Sequence, residues 1–204
     1  MENSPFNLDI QNSNTDSRIV AALERISQAF RILLWNESKN FSLTPIQIQV
    51  LIFLLNHSEE KRTVTYLARE FNITKATISD TIKTLTQKEL ITKEHLQEDT
   101  RSYFIHLTQK GKEIAQKTSL FAKELFSPIE KLNPEEKENL LLNLLGIIHH
   151  LQKAGIITLQ RMCFTCIHYR SDHPGGKHFC NLLNIKLEAT DLRIDCPEHE
   201  EKPG

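Results

Sequence analysis

Cysteine is absent from the first 162 of the 204 residues; the four in the chain lie at 163, 166, 180 and 196. No apolar run approaches the roughly 18 residues needed to cross a bilayer. The richest stretch, 140–151, is broken by Asn143, Gly146, His149 and His150, so no membrane partner is expected. There is no Gly-rich cofactor loop, no nucleophile constellation and no paired carboxylate site, which argues against an enzyme. The N-terminal M-E-N-S-P-F-N-L-D-I is acidic and polar. It does not read as a secretion signal, and a cytoplasmic location is expected. Charge of one sign is lacking too: 25 Lys and Arg stand against 26 Asp and Glu, which gives no global nucleic-acid signature. Its distribution is less even, since residues 60–117 hold 11 Lys and Arg against 8 Asp and Glu.

What is present is helical for most of the length, and the size suits one domain plus an appendage or two small domains. Residues 1–17, rich in Asn, Ser and Asp, have no periodicity and are expected to form a flexible, frayed arm. From Arg18, the apolar residues Ile19, Leu23, Ile26, Phe30 and Leu33 recur at helical spacing. Thr44-Pro45 is a helix start, with Thr as N-cap and Pro at the first helical position. Ile46, Val50, Phe53 and Leu54 then mark a buried face. Thr63 caps a short helix bearing Val64, Leu67, Ala68 and Phe71. Asn72-Ile73-Thr74 is a tight turn, and Ile78, Ile82 and Leu85 line one side of the next helix. Residues 91–95 and 102–107 read as a hairpin with a polar tip at 97–101. A helix from Thr108 to about Phe126 follows, then one opened by Asn133-Pro134-Glu135-Glu136 and ended near Ala154-Gly155. The last helix carries Leu141, Leu144, Leu145, Ile148 and Leu151 on a stripe.

Two short helices joined by a three-residue turn form a helix-turn-helix. With Ile78, Ile82 and Leu85 facing the core, the outer face of the second helix carries Lys75, Ala76, Thr77, Ser79, Asp80 and Lys83. Small and hydroxyl side chains near a helix start let it approach base edges, and the lysines suit phosphates. Arg101, in the hairpin tip, can reach the adjacent minor groove, with Asp99 shaping the tip. A face of Ser, Thr and Lys is by itself commonly just solvated. The joint order of capped helix, turn, helix and basic-tipped hairpin is far more specific.

The segments L-T-P-I-Q-I-Q-V-L-I-F-L-L (43–55), T-V-T-Y-L-A-R-E-F-N-I-T-K-A-T-I-S-D-T-I-K-T-L-T-Q-K-E-L-I (63–91) and E-D-T-R-S-Y-F-I-H-L-T-Q-K-G (98–111) resemble the MarR/SlyA family of transcriptional regulators over about residues 18–155. The resemblance implies a two-fold dimer built from the first and last two helices. Each subunit would present a winged helix to half of a pseudo-palindromic operator on double-stranded DNA. It also implies that Ser79 and its neighbours read the major groove and that Asp99 and Arg101 form the wing pair. Asp80 stands where many members have Arg. Many members bind small aromatic acids, so a small-molecule effector is possible. The cysteine-free body excludes the thiol peroxide sensing of some relatives.

The tail lies outside that pattern. Cys163-x-x-Cys166 is a knuckle that puts two thiolates on one ion, and Cys180 and Cys196 complete a four-sulfur set. Clustered cysteines in a cytoplasmic protein read as metal ligands before disulfides. Zinc (Zn2+) is the first choice. A [4Fe–4S] cluster is the alternative, because it needs four cysteines but no second knuckle. Some 40 residues bury too little apolar surface to fold alone, so metal would supply folding energy.

The expected fold is thus mainly α with a small β-hairpin wing: a winged helix-turn-helix with a helical dimerisation region, plus a small metal-stabilised four-cysteine domain. Its segments are 1–17, 18–158 and 159–204. The function expected is a homodimeric DNA-binding repressor, not an enzyme, whose metal site is structural or sensory. A protein-interaction adaptor on the same scaffold is the alternative.

Overall fold

The computed structural model describes residues 4–96, 99–158 and 160–202, with the backbone alone for residues 96 and 99–102. Eight α-helices and five strands lie along it: α1 (Leu8–Ser13), α2 (Thr15–Asn40), α3 (Pro45–Asn56), α4 (Val64–Glu70), α5 (Lys75–Gln87), β1 (Ile91–Leu96), β2 (Asp99–Leu107), α6 (Gln109–Thr118), α7 (Phe126–Glu130), α8 (Pro134–Lys153), β3 (Tyr169–His173), β4 (Gly176–Cys180) and β5 (Ile185–Leu187).

Local chemistry sets the helix limits. Thr44 caps α3 and Asn133 caps α8, each closing a capping box with Gln47 and Glu136 respectively. α4 ends in a Schellman turn: the Ile73 N–H donates to the Ala68 carbonyl at 3.0 Å and the Asn72 N–H to that of Arg69 at 3.2 Å. Asn72 takes the left-handed conformation this needs, with φ of 52°. That turn aims α5 away from α4. α8 ends in the same way at Gly155, φ 70°.

The main core joins Ile48, Leu51 and Leu54 of α3, Leu67 of α4, Ile78, Ile82 and Leu85 of α5, Ile105 of β2 and Ala115 of α6. β1 and β2 pair antiparallel from Ile91 opposite Leu107, with a register shift between His95 and Leu96. α6 seats on this hairpin through Gly111. A Cβ there would lie 1.9 Å from the Leu90 carbonyl oxygen, so only glycine lets the two backbones approach. Among the described residues, no helix is long and apolar enough to cross a membrane.

Three expectations change. The described part of 1–17 is helical rather than frayed, because its Asn residues act as caps. Asn7 Oδ1 accepts from the Asp9 N–H at 3.0 Å and Asn14 Oδ1 from the Ser17 N–H at 3.0 Å. The helix expected to reach Phe126 stops at Thr118. The hydroxyls of Thr118 and Ser119 donate back to the carbonyls of Ile114 and Gln116, competing with helix propagation. Finally, the tail, expected as a domain over 159–204, packs against the body: its three-stranded sheet, ordered β3-β4-β5, shares an apolar cluster with α8. There Met162, Leu187 and Leu192 bury Leu145, flanked by Leu141, Leu142 and Ile148.

Candidate nucleic-acid interface and cysteine cluster

α5 is held by its inner face and open on the other. Ile78, Ile82 and Leu85 are fully buried. Lys75, Ala76, Thr77, Ser79, Asp80 and Lys83 are all exposed, as the spacing predicted. Thr74 caps the helix, its Oγ1 accepting from the Thr77 N–H at 3.1 Å, and the Thr77 hydroxyl lies 2.9 Å from that of Thr74. The remaining free N–H groups of the first turn give this end a positive potential. No ion pair joins Lys75 or Lys83 to a carboxylate among the described residues.

The hairpin stands beside α5. Its base is tied to the loop before α4, where the Ile105 N–H donates to the Arg62 carbonyl at 3.0 Å. Asp99 and Arg101 lie on β2, but the side chains of this expected wing pair lie outside the described residues. Lys93 on β1, not foreseen from the sequence, reaches over the Tyr103 ring at 4.7 Å.

An apolar groove runs between α2 and α3, bounded by Ile32, Leu34, Trp35 and Pro45, with Arg31 at its side and a volume of about 600 Å³.

In the tail, Cys163 opens a 3₁₀ turn and Cys166 closes it, its N–H donating to the Cys163 carbonyl at 3.0 Å. Cys180 ends β4 opposite Tyr169. Cys196 comes in from the last segment, its N–H donating to the Arg161 carbonyl at 2.9 Å. The four cysteines, from three stretches of chain, line one small cavity of about 30 Å³ together with Tyr169, Leu183 and Leu187. The backbone N–H of Arg193 donates to Cys163 Sγ at 3.3 Å, and its guanidinium lies 3.4 Å from Cys196 Sγ. Burial pushes the Cys163 thiol up, partly offset by that N–H, and the other three cysteines push it further. No disulfide joins the four.

A second cluster binds the tail to the helix-turn-helix. Arg161 is almost fully buried, with 6% of its side chain exposed. Its guanidinium pairs with Glu70 at the end of α4 (Nη1–Oε2 2.5 Å, Nη2–Oε1 3.1 Å). It also pairs with Asp195 (Nε–Oδ1 2.5 Å, Nη2–Oδ2 3.1 Å). Tyr66 Oη stands 3.1 Å from Nη1, and His57 Nε2 lies 2.8 Å from Asp195 Oδ2. Burial works against the charge on Arg161, but the hydrogen bonds to Glu70 and Asp195 more than offset it and hold the group above its usual range. Burial likewise opposes ionisation of Asp195, yet His57 and Arg161 keep its carboxyl well below the usual carboxylate range. Sequence reasoning missed this cluster. Arg161 is 91 residues from Glu70 and 104 from His57, and no local pattern links them.

The packed helices α3, α4 and α6, the open helix α5 and the adjoining hairpin define a winged helix-turn-helix, the fold of a class of transcriptional regulators. A family model described as "MarR family" matches residues 41–102. The HTH-type transcriptional regulator MgrA of Staphylococcus aureus is 34% identical over 114 residues, covering 55% of this chain and 74% of MgrA. The chain belongs to the MarR family, whose transcriptional regulators are DNA-binding proteins and not enzymes. Among solved structures, the S. aureus MepR–DNA complex is similar with a TM-score of 0.57 and 26% identity, over 65% of this chain and 97% of MepR. A MarR/EmrR family regulator from Acinetobacter sp. ADP1 shares the fold, with a TM-score of 0.55 at 23% identity over 69% of this chain and 99% of that one.

Proposed function

We propose that this chain is a homodimeric repressor that binds a pseudo-palindromic operator in cytoplasmic DNA through α5 and the hairpin. The observation that carries this is the outer face of α5, where Lys75 stands exposed beside small hydroxyl residues at the positive helix end and Lys83 is exposed about two turns further on. The similarity to MepR in its complex with DNA supports it. Support for the dimer comes from apolar side chains left uncovered outside the winged core: Ile19 and Val20 on α2, Leu120, and Phe126 and Ile129 on α7 are 45–64% exposed. Such surface seeks a partner, and a two-fold partner fits a palindromic site. Sedimentation at micromolar concentration is expected to give twice the chain mass. The apolar groove between α2 and α3 is the place proposed for a small-molecule effector.

Operator binding is tested by salt. Affinity for a duplex selected from a random pool is expected to fall steeply with salt, and Lys75→Ala should lower the slope of log affinity against log salt by about 1. A wild-type affinity indifferent to salt would sink the DNA reading in favour of the adaptor alternative.

The cysteine cluster is proposed as a metal site, zinc or iron–sulfur. Its support is the convergence of all four cysteines on one cavity, with N–H donors directed at two of the sulfurs. Zinc, held by four thiolates at about 2.3 Å, is the first reading, and a [4Fe–4S] cluster with one cysteine to each iron is the alternative. Among the described residues no three His, Cys, Asp or Glu side chains stand close enough to hold an ion, so the four thiols would have to draw together on it. Protein purified without oxygen is expected to contain about one zinc per chain, while about four irons with matching sulfide would replace zinc by the cluster.

A further inference from the structure

We propose that the loading state of the four-cysteine site is transmitted to the helix-turn-helix through the clamp formed by Arg161, Asp195 and Glu70. This rests on the metal reading above and adds its route of regulation.

The clamp residues extend from the cysteine segments themselves. Arg161 lies two residues before Cys163, and Asp195 directly precedes Cys196. The two segments run side by side: the Cys196 N–H donates to the Arg161 carbonyl at 2.9 Å, and the Cys163 N–H to the Arg193 carbonyl at 3.1 Å. A group that ties Cys163 to Cys196 therefore also sets Arg161 against Asp195. The far end of the clamp is Glu70, the last residue of α4. Four residues on, Thr74 caps α5, so the placement of α4 sets that of the recognition helix.

The tail has little else to hold this arrangement. Leu182, Leu183, Ile185 and Ile194 are 45–54% exposed, and its buried apolar cluster, Met162, Leu187 and Leu192, is closed only with Leu145 of α8. A small module with so thin a core depends on its metal for order. Arg161 is itself buried and bidentate to both carboxylates, and such geometry is lost as a unit when one partner moves. Further ties reach the same element: Glu201 of the tail meets Arg69 at 3.5 Å, and just before the tail the Thr158 hydroxyl donates to the Arg69 carbonyl at 2.6 Å. In the loaded protein α4 is held from behind. In the unloaded protein that hold is released and the helix-turn-helix loosens, which weakens operator binding by about tenfold, within the usual range of allosteric coupling.

The test uses the full-length chain purified without oxygen, its iron, sulfide and zinc assayed, before and after removal of metal by a chelator. Affinity for a duplex selected from a random pool is read together with amide hydrogen exchange over residues 57–74. Loss of metal is expected to weaken binding about tenfold and raise exchange in that segment. Glu70→Ala, which leaves every cysteine in place, is expected to keep its metal, bind like the stripped wild type and respond little to stripping. A protein with no bound metal overturns the metal reading and the coupling with it. Bound metal whose removal changes neither affinity nor exchange overturns the coupling alone. The exchange measurement on the wild type decides the matter even if Glu70→Ala does not fold.

Discussion

Replacing Arg161 with methionine is expected to destabilise the protein by about 2–3 kcal/mol, below the roughly 3–5 kcal/mol of a fully buried broken pair. The reduction follows from exposure. Glu70 keeps 17% and Asp195 42% of its side-chain surface in solvent, so water can partly resolvate both carboxylates once the guanidinium is gone. The larger part of the loss comes from Glu70, the more buried of the two. Arg161 also packs its guanidinium 5.6 Å from the centre of the Phe53 ring, and methionine retains some of that contact. Urea denaturation of wild type and variant, with metal content matched, gives the difference. The double variant Arg161→Met, Glu70→Leu should recover about half of it, because no unpaired carboxylate then remains on α4. A single variant as stable as the wild type would mean that the apolar contacts to α8 and the ties to Arg69 hold the tail without Arg161.

Gly111→Ala is expected to cost about 3 kcal/mol, at the upper end of overpacking effects. The added methyl would meet the Leu90 carbonyl oxygen at 1.9 Å and the Leu90 carbonyl carbon at 3.0 Å. These are backbone atoms between α5 and β1, and no rotamer change relieves the clash. The same carbonyl already accepts from the Thr108 N–H at 3.0 Å, and the Thr108 hydroxyl donates to the Glu89 carbonyl at 2.8 Å. α6 would have to lift away from the joint of recognition helix and hairpin, breaking both bonds. Thermal unfolding should show the loss directly, and operator affinity should fall with it, since hairpin and α5 would no longer keep a fixed angle. A melting temperature within a degree or two of wild type would mean that α6 does not seat at this joint.

The parts that were legible in the sequence share one property: each is decided by residues within a few positions of one another. Thr44-Pro45 and Asn133-Pro134 start their helices because an N-cap oxygen and an N1 proline act within a single turn. Ile78, Ile82 and Leu85 announced both the buried and the open face of α5, because a helix repeats every 3.6 residues whatever surrounds it. The candidate interface followed from the same periodicity. Where local chemistry had two uses, the reading failed: Asn7 and Asn14 suggested disorder but cap helices, and Thr118 with Ser119 ended a helix that the apolar pattern would have continued.

The sequence by itself thus determined the winged helix-turn-helix, the exposed outer face of its second helix and the presence of four thiols in the tail. Only the tertiary structure decided that those thiols share one cavity, that Leu145 of α8 is covered by the tail, and that Arg161 joins Glu70 to Asp195. The physical reason is that a buried charge has no periodicity. Its partners are chosen by desolvation and geometry across distant stretches of chain, and those are settled only when the chain has closed on itself.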